Sequence, residues 1–275
     1  MLHQSWRKVY SSENELSMKI VVVGSGNVAE SLAQAIAEVE GLELVQLFAR
    51  NEERGRKVAE LANTEWSNTS LAEADLYLIS VSDNAVADVA KSLSIPEGAV
   101  VAHTAGCCPI ESLAPHIHRA VFYPFQTFSV GRNVDFQQGY IFVEGATDYA
   151  LQVVEKVAHA LTNNILPADS ARRAVIHLSG VFACNFANAM YANAAEVLAK
   201  EGLPFDIVAP VIAETAKKVI ESKNPAASQT GPARRGDTQT LERHRTMLSN
   251  RERTKEIYDK ISEDIWERTK TLKSF

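Results

Sequence analysis

Long apolar runs and basic tracts are both missing from this sequence of 275 residues. No run approaches the roughly 20 apolar residues of a membrane helix, and the most apolar stretch, 174–198, is broken by His177 and Asn185. The formal net charge is -6, and no basic tract gives the chain the electrostatic footprint of a nucleic-acid-binding protein. We therefore expect neither a membrane nor a nucleic acid as a partner.

Cysteine is equally scarce. Cys107, Cys108 and Cys184 are odd in number and lack CxxC spacing, which argues against a disulfide framework or a zinc site. We expect no metal and interpret the three cysteines as small, buried hydrophobic residues. Residues 1–17 lack the apolar core of a secretory signal and are interpreted as a flexible tail, so the expected location is the cytoplasm.

Short apolar runs alternate with helical patterns from Lys19 to about Leu166. This alternation is typical of a mostly parallel sheet with helices on both faces. Beyond Asp169, a candidate N-cap, the remaining pattern is helical. We predict a doubly wound, Rossmann-like α/β domain over residues 18–168 and an all-α domain over residues 169–275.

The stretch "KIVVVGSGNVAES" joins the first predicted strand to the first predicted helix. Gly24, Gly26 and Ala29 match the GxGxxA form of the dinucleotide fingerprint, which needs a tight turn, close backbone approach to a pyrophosphate and close helix packing. A glycine-rich turn that only packs a strand against a helix is the alternative. The predicted pyrophosphate-binding residues are Gly24, Ser25, Gly26, Asn27, Val28 and Ala29.

The end of the second predicted strand indicates which dinucleotide is bound. NAD sites usually carry Asp or Glu there, whereas this chain has Arg50 followed by Asn51, with Arg54 one turn along the next helix. A guanidinium group suits a 2′-phosphate, so we predict NADP in preference to NAD. The alternative is a solvated helix start in which Glu52 and Glu53 neutralise the arginines.

Three later loops follow predicted strands, at the edge where ligands of such sheets lie. Ser82 is placed to contact ribose or to cap the next helix. His103 and Thr104 are placed beside a nicotinamide, although a histidine satisfied by backbone groups of the turn is an equal alternative. Gln126 is a polar group free to contact substrate, while the neighbouring aromatic residues are predicted to pack.

One long helix is predicted over residues 170–200, with polar side chains in an apolar pattern. His177 is the candidate proton donor during hydride transfer and Asn185 a group that orients substrate. A core histidine bonded to a neighbouring helix is the alternative. Successive residues of an α-helix are about 100° apart around its axis. A narrow stripe along this helix therefore contains His177, Val181, Cys184 and Asn188, with Asn185 at its edge.

The polar loop "NPAASQTGPARRGD" is longer than most connections between helices, and such loops are often functional. Thr230, Arg234 and Arg235 are placed to recognise an anionic group on a substrate or cofactor.

Taken together, GSGNVA, HTAG, YPFQTF, HLSGVFACNF and TGPARRGD resemble a set of bacterial Rossmann-like proteins. Their C-terminal helical domain has no assigned role, and they are often described as deazaflavin-dependent NADP oxidoreductases. The resemblance extends from Met18 to about Leu248. It implies dimerisation through the helical domain, with residues 204–222 and 254–268 as the apolar surface. Nothing in the sequence indicates a second redox cofactor.

The layout is also similar to the 6-phosphogluconate dehydrogenase-like superfamily, which includes ketopantoate and pyrroline-5-carboxylate reductases. Several of those enzymes carry a lysine one turn before an asparagine on the first helix of the helical domain. If Asn185 matches that asparagine, Val181 occupies the lysine position and cannot transfer a proton. His177, one further turn back, is then the candidate replacement.

These observations predict an NADP-dependent oxidoreductase whose substrate is a small carbonyl, imine or hydroxy-acid-type molecule, with an active site between the two domains. His177 is the predicted acid or base, Asn185 orients substrate, and the predicted substrate contacts are Gln126, Asn188 and Arg234. A catalytically silent NADP-binding sensor is the alternative that Val181 favours. A purely structural interaction protein is a third alternative and requires an empty glycine loop.

Overall fold

The computed structural model describes residues 17–132 and 134–273. The chain divides into two compact units, one ending at Cys184 and the other beginning at Asn185. The predicted boundary lies earlier, at 168/169, because the sequence does not reveal that the helix starting at Ser170 packs on the sheet through Ile176. Apart from Ser17, the predicted tail lies outside the described residues.

The first unit is built on an eight-stranded sheet in the order β3-β2-β1-β4-β5-β6-β7-β8. Its strands are β1 (Met18–Val23), β2 (Leu42–Phe48), β3 (Glu65–Ser67), β4 (Leu76–Ile79), β5 (Val100–His103), β6 (Arg119–Phe125), β7 (Tyr140–Gly145) and β8 (Ile165–Pro167). Only the β6–β7 pair in this sheet is antiparallel. The three-residue edge strand β3 was not predicted, because its sequence EWS is too short to show a period.

Both faces of the sheet are covered by helices. The helices of this unit are α1 (Asn27–Ala37), α2 (Glu52–Leu61), α3 (Val86–Ser92), α4 (Asp148–Leu161) and α5 (Ser170–Gly180). Alternate residues of β1 explain the two layers: Ile20 and Val22 join the core formed with α1 and α4, whereas Val21 and Val23 join the core formed with α3. The doubly wound α/β prediction is therefore confirmed.

The second unit is helical, as predicted. Its helices are α6 (Ala187–Lys200), α7 (Ala209–Ser222), α8 (Pro225–Ser228), α9 (Pro232–Arg235), α10 (Thr238–Met247) and α11 (Glu252–Lys273). Short 3₁₀ turns occur in the first unit at Asp83–Ala85, Ile110–Leu113 and Phe136–Gln138, and in the second unit at Phe205–Ile207. Within the described ranges, no helix is long and apolar enough to cross a membrane.

The helix predicted over residues 170–200 begins as expected, since the Asp169 carboxylate accepts a hydrogen bond from the Arg172 amide at 2.8 Å. It does not continue as one α-helix, because residues Val181–Phe186 form a π-helical segment. The wider π turn changes the angle between successive side chains. The predicted stripe from His177 to Asn188 assumed an uninterrupted α-helix, and that assumption is wrong.

All three cysteines are free thiols, but they differ in burial. Cys108 is buried, Cys184 is intermediate and Cys107 is exposed. The interpretation as buried hydrophobic residues therefore holds for Cys108 and is wrong for Cys107.

Candidate functional site

The glycine loop lies where the strand order of the sheet reverses. The chain runs from β1 outward through β2 to β3 and then returns to β4 on the other side of β1. Ligands of open α/β sheets bind at such a switch point, beyond the carboxyl ends of the strands. Gly24 directly follows β1 there, and its amide donates to the Phe48 carbonyl at 2.8 Å.

Gly24 and Gly26 have different structural reasons to be glycine. Gly24 has φ +126°, and a Cβ there would lie 2.2 Å from the carbonyl oxygen of Ser80, so no other residue fits. A Cβ on Gly26 would meet no atom within 4 Å. The loop therefore closes tightly against β4 at one glycine and leaves open space at the other.

That open space adjoins the N-terminus of α1, whose N-cap residue Gly26 has no side chain to satisfy the first amides. The first turn of a helix presents amide hydrogens that the helix cannot bond internally, and its dipole favours an anion. Open space for close approach, together with unsatisfied amides from Asn27 onward, fits a pyrophosphate.

Side chains around the loop hold its shape. The Arg54 Nε donates to the Ser25 carbonyl at 3.1 Å, and the Arg54 guanidinium also pairs with Glu30. The side-chain Nδ2 of Asn27 donates to the Phe128 carbonyl at 3.2 Å. Arg54 is thus a brace for the loop. It occupies the Ser25 carbonyl, and Phe128 occupies the Asn27 side chain, so the backbone N–H groups of Ser25 and Asn27 are left for a ligand.

Arg50 is exposed at the end of β2, and no hydrogen bond or ion pair joins its side chain to another residue of the described ranges. Asn51 caps α2 by accepting from the Arg54 amide at 2.9 Å, which leaves its own amide group available. Glu52 pairs with Arg56 at 2.9 Å instead of with Arg50. The acidic residues nearby therefore do not occupy the guanidinium of Arg50.

The loops after β4 and β5 contain Ser82, His103 and Thr104. Ser82 is exposed, and its hydroxyl makes no capping bond to the 3₁₀ turn that follows. The Thr104 hydroxyl donates to the Ser80 hydroxyl at 3.2 Å and is almost fully buried. Of these three residues, Ser82 has the side chain most open to a ligand.

His103 is fully buried, and its Nδ1 accepts a hydrogen bond from the Ala105 amide at 3.2 Å. Burial, with a smaller contribution from the charge of Arg173, lowers the pKa of His103 to about 4. The imidazole is therefore neutral and shapes the turn from inside. The Nε2 of His103 is also buried but has no hydrogen-bond partner among the described residues, so the turn satisfies only one of the two ring nitrogens.

Gly106, Tyr123 and His177, from separate parts of the first unit, meet beside the carboxyl-terminal half of β6. The Tyr123 hydroxyl and the His177 Nδ1 are 3.1 Å apart. A Cβ on Gly106 would lie 2.7 Å from that same Nδ1 and 2.9 Å from the Tyr123 Cζ. Burial raises the pKa of Tyr123 to about 12, so the phenol keeps its hydrogen at neutral pH. His177 is half-buried.

The sequence argument missed Tyr123, because it assigned the aromatic residues of YPFQTF to packing. A usable signal was present: Tyr123 is the one residue of that buried strand with a hydroxyl, and a buried tyrosine usually needs a hydrogen-bond partner. Its partner lies 54 residues away along the chain.

Helix α5, which carries His177, is fixed to the sheet at two places. Arg173 is fully buried, pairs with Glu144 on β7 and donates to the Cys108 carbonyl at 2.6 Å and the Ala168 carbonyl at 3.1 Å. At the other end of the helix, a Cβ on Gly180 would lie 2.7 Å from the ring of Phe125. The position of His177 is therefore set by contacts on both sides of it.

The predicted substrate residues lie in several places. Gln126 is exposed and lines a cavity of about 210 Å³ beside Arg132 and Asp135. Arg234 donates to the carbonyls of Ala226, Ala227 and Gln229, so its guanidinium holds the loop between α8 and α9. Asn185 and Asn188 are exposed residues of the second unit. No group of three or more potential metal ligands occurs among the residues that the structure describes.

The sheet order and the glycine loop at its switch point place the first unit among Rossmann-like domains. Comparison with known families agrees, since residues 9–124 match the Rossmann-like domain. Residues 139–265 match a domain of unknown function, DUF2520. No curated protein matches the sequence.

Solved structures extend the match over most of the chain. A "putative NADP oxidoreductase" from Bacteroides fragilis is 38% identical with a TM-score of 0.86, and the match covers 91% of this chain and 98% of that one. The chain therefore belongs to the family that joins a Rossmann-like domain to a DUF2520 domain, which confirms the resemblance drawn from its motifs.

More distant structures share the fold. A protein from Thermotoga maritima is 21% identical with a TM-score of 0.70, and the match covers 92% of this chain and 99% of that one. A reductive aminase from Aspergillus terreus, solved with NADPH and ethyl levulinate, is 14% identical with a TM-score of 0.69, over 93% of this chain and 95% of that one.

Proposed function

We propose that this protein is an NADP-dependent oxidoreductase that acts on a small carbonyl, imine or hydroxy-acid-type substrate. The observation that carries the proposal is the glycine loop at the switch point, where Gly24 closes the turn and Gly26 leaves open space before α1. The family relative from Bacteroides fragilis, which is described as an NADP oxidoreductase, supports the same class.

The residues that would hold NADP(H) follow from this geometry. The backbone from Gly24 to Ala29 faces the pyrophosphate, the Ser82 hydroxyl contacts a ribose, and Arg50 with the Asn51 amide binds the 2′-phosphate. Bound NADPH would supply a hydride to the substrate. The protein's own part is to orient the two molecules and to place a hydrogen-bond donor at the reacting carbonyl or imine.

His177 is our candidate for that donor, because it is half-buried and its Nδ1 is held by Tyr123. Asn185, Asn188 and Gln126 stay predictions as groups that orient substrate. Arg234 is a weaker candidate, since its guanidinium already binds three carbonyls of its own loop.

Arg50 is the residue whose replacement tests the cofactor. We expect Arg50→Ala to weaken NADPH binding by about tenfold or more and to leave NADH binding nearly unchanged, because only NADPH carries the 2′-phosphate. Titration of cofactor fluorescence measures both affinities. Arg56→Ala is the matched control: it removes the same charge from the same segment, where Arg56 pairs with Glu52 and covers Trp66.

Two results would contradict this assignment. Wild-type protein that binds NADH more tightly than NADPH removes the argument from Arg50. Failure to bind either cofactor at millimolar concentration removes the nucleotide site altogether and leaves a structural interaction protein.

Turnover is tested by following NADPH oxidation with a panel of keto acids, aldehydes and imines. A substrate that supports oxidation by the wild type, with a large loss of rate in His177→Ala, supports the enzyme and the role of His177 together. Oxidation that is unchanged in His177→Ala excludes that residue from the mechanism. Tight NADPH binding without turnover on any substrate favours the second candidate, an NADP-binding sensor. Val181 supports that candidate if Asn185 matches the asparagine of related reductases.

We also propose that the second unit forms a homodimer. Helices α6, α10 and α11 line an apolar groove of about 550 Å³, and α7 contains no buried residue. Val211 and Ile220 on α7 are 64% and 74% exposed, so this helix carries large apolar side chains that the described residues of its own unit leave uncovered. A second copy supplies both a helix for the groove and a groove for the helix, which is the reciprocal arrangement of a twofold dimer.

The oligomeric state is measured by light scattering after gel filtration. We expect a dimer for the wild type and at least partial dissociation for Ile220→Glu, because a carboxylate would be buried in an apolar interface. Lys217→Glu changes the charge of the same helix at an exposed polar position and should remain dimeric. A monomeric wild type, or an Ile220→Glu variant as dimeric as the wild type, would overturn this arrangement.

A further inference from the structure

We infer that Tyr123 is a positioning residue that holds His177 in the tautomer with hydrogen on Nε2, so that Nε2–H is the donor offered to substrate. The catalytic consequence of this inference rests on the proposed function. The tautomer itself does not, and it can be measured on the protein alone.

The hydrogen bond between Tyr123 and His177 determines which ring nitrogen of His177 carries the hydrogen. A neutral imidazole has one nitrogen that donates and one that accepts, and the partner of one nitrogen decides which is which. The Tyr123 hydroxyl is 3.1 Å from the His177 Nδ1 and has no other hydrogen-bond partner in the described part of the chain. If the phenol donates to Nδ1, the imidazole hydrogen is confined to Nε2.

The surroundings of the phenol favour that direction. Tyr123 is 9% exposed, and its ring lies against the rings of Phe125 and Phe142 at centroid distances of 6.1 Å and 6.3 Å. A phenol that accepted from Nδ1–H would leave its own hydrogen without a partner among the described residues, and an unpaired polar hydrogen on a buried group is unfavourable. Donation to Nδ1 satisfies both groups with one bond.

The contact between Tyr123 and His177 requires a glycine at position 106. Gly106 lies so close that a Cβ there would be 2.7 Å from Nδ1 and 2.9 Å from the Tyr123 Cζ. The helix that carries His177 is held by buried Arg173 before it and by the packing of Phe125 on Gly180 after it. The backbone of His177 is therefore held beside Tyr123 from both sides of the helix.

The Nε2 of His177 is the ring nitrogen available to a substrate. No residue of the described ranges is recorded within hydrogen-bond distance of that nitrogen, and the side chain is only half-buried. A neutral imidazole with hydrogen on Nε2 donates to a carbonyl oxygen or an imine nitrogen and polarises it. The opposite tautomer would offer the substrate a lone pair and no hydrogen. Tyr123 thus determines whether His177 is a donor.

Two-bond nitrogen–proton NMR spectra of ¹⁵N-histidine-labelled full-length protein test the inference, because they distinguish protonated from unprotonated ring nitrogens. The His177 signals are assigned by their loss in His177→Gln and followed over a pH titration to find the neutral form. In the wild type we expect an unprotonated Nδ1 and a protonated Nε2. In Tyr123→Phe we expect averaged shifts from a mixture of both tautomers.

Tyr149→Phe is the matched control, since it removes a phenol hydroxyl from the same unit while keeping the ring that contacts His118. Its His177 signals should match those of the wild type. A wild-type spectrum with hydrogen on Nδ1, or identical tautomer signals in wild type and Tyr123→Phe, would overturn the inference. The wild-type spectrum decides the question even if Tyr123→Phe does not fold.

A kinetic readout then connects the tautomer to turnover. With any substrate found in the panel, Tyr123→Phe should lower kcat about tenfold and leave the Kd for NADPH unchanged, because the donor loses its orientation and the nucleotide site is untouched. Unchanged kcat alongside a mixed tautomer would show that the Nε2 donor is not used, which counts against the proposed function and not against the tautomer.

Discussion

Replacing Arg173 with methionine is expected to lower the free energy of unfolding by about 3 kcal/mol or more, the typical loss when one partner of a buried ion pair is removed. Arg173 is fully buried, and the side chain of its partner Glu144 is 20% exposed. The substitution leaves that carboxylate without its cation. It also removes the donors that satisfy the carbonyls of Cys108 and Ala168.

Urea denaturation followed by circular dichroism measures this loss. Arg172→Met is the matched control, because the neighbouring arginine is exposed and contributes to the Asp169 cap only through its backbone amide. Surface substitutions of this kind change stability by within about 0.5 kcal/mol. Equal urea midpoints for the two variants would show that the buried guanidinium does not anchor α5 to the sheet.

Arg173 also connects stability with the candidate site. Its bond to the Cys108 carbonyl holds the loop that contains Gly106, and the helix it anchors carries His177. A loosened loop would increase the separation of Tyr123 and His177. We therefore expect any Arg173→Met protein that remains folded to show mixed His177 tautomers as well.

The main features of the fold were accessible from the sequence because their signals are local. Buried parallel strands give continuous apolar runs such as MKIVVV, and helices between them give a 3.6-residue period. The π-helical segment Val181–Phe186 was not accessible, since VFACNF contains no proline or glycine that would mark an irregular turn within the helix. The compact-unit boundary falls inside that segment, later than the change of pattern at Asp169.

The candidate site, too, was predictable only where its residues are adjacent in sequence. The glycine loop was recognisable because its turn, amides and helix start are adjacent in sequence. Arg54 illustrates the limit: it looked like a second phosphate ligand beside Arg50, but its partner Glu30 and the Ser25 carbonyl come from the preceding β-α unit. The pairing of Tyr123 with His177 joins residues 54 positions apart, and no local period reports such a contact.

The two glycines of the loop separate the stability of the fold from cofactor binding. Gly24→Ala should lower the free energy of unfolding by about 3 kcal/mol, because it combines a strained backbone conformation with an overpacked contact. The added Cβ would lie 2.2 Å from the Ser80 carbonyl oxygen, on a residue with φ +126°. Neither backbone can move without separating β1 from β4, which are neighbouring strands inside the sheet.

Gly26→Ala is expected to behave differently. Gly26 has φ -74° and ψ -178°, which any residue adopts, and a Cβ there meets no atom within 4 Å. The free energy of unfolding should change by less than about 1 kcal/mol, whereas NADPH binding should weaken about tenfold, because the methyl group enters the space that a pyrophosphate would use. Thermal unfolding without cofactor and titration with NADPH measure the two effects separately. Normal NADPH affinity in Gly26→Ala would show that no pyrophosphate approaches this turn, and the glycines would then serve only the packing of β1 against β4.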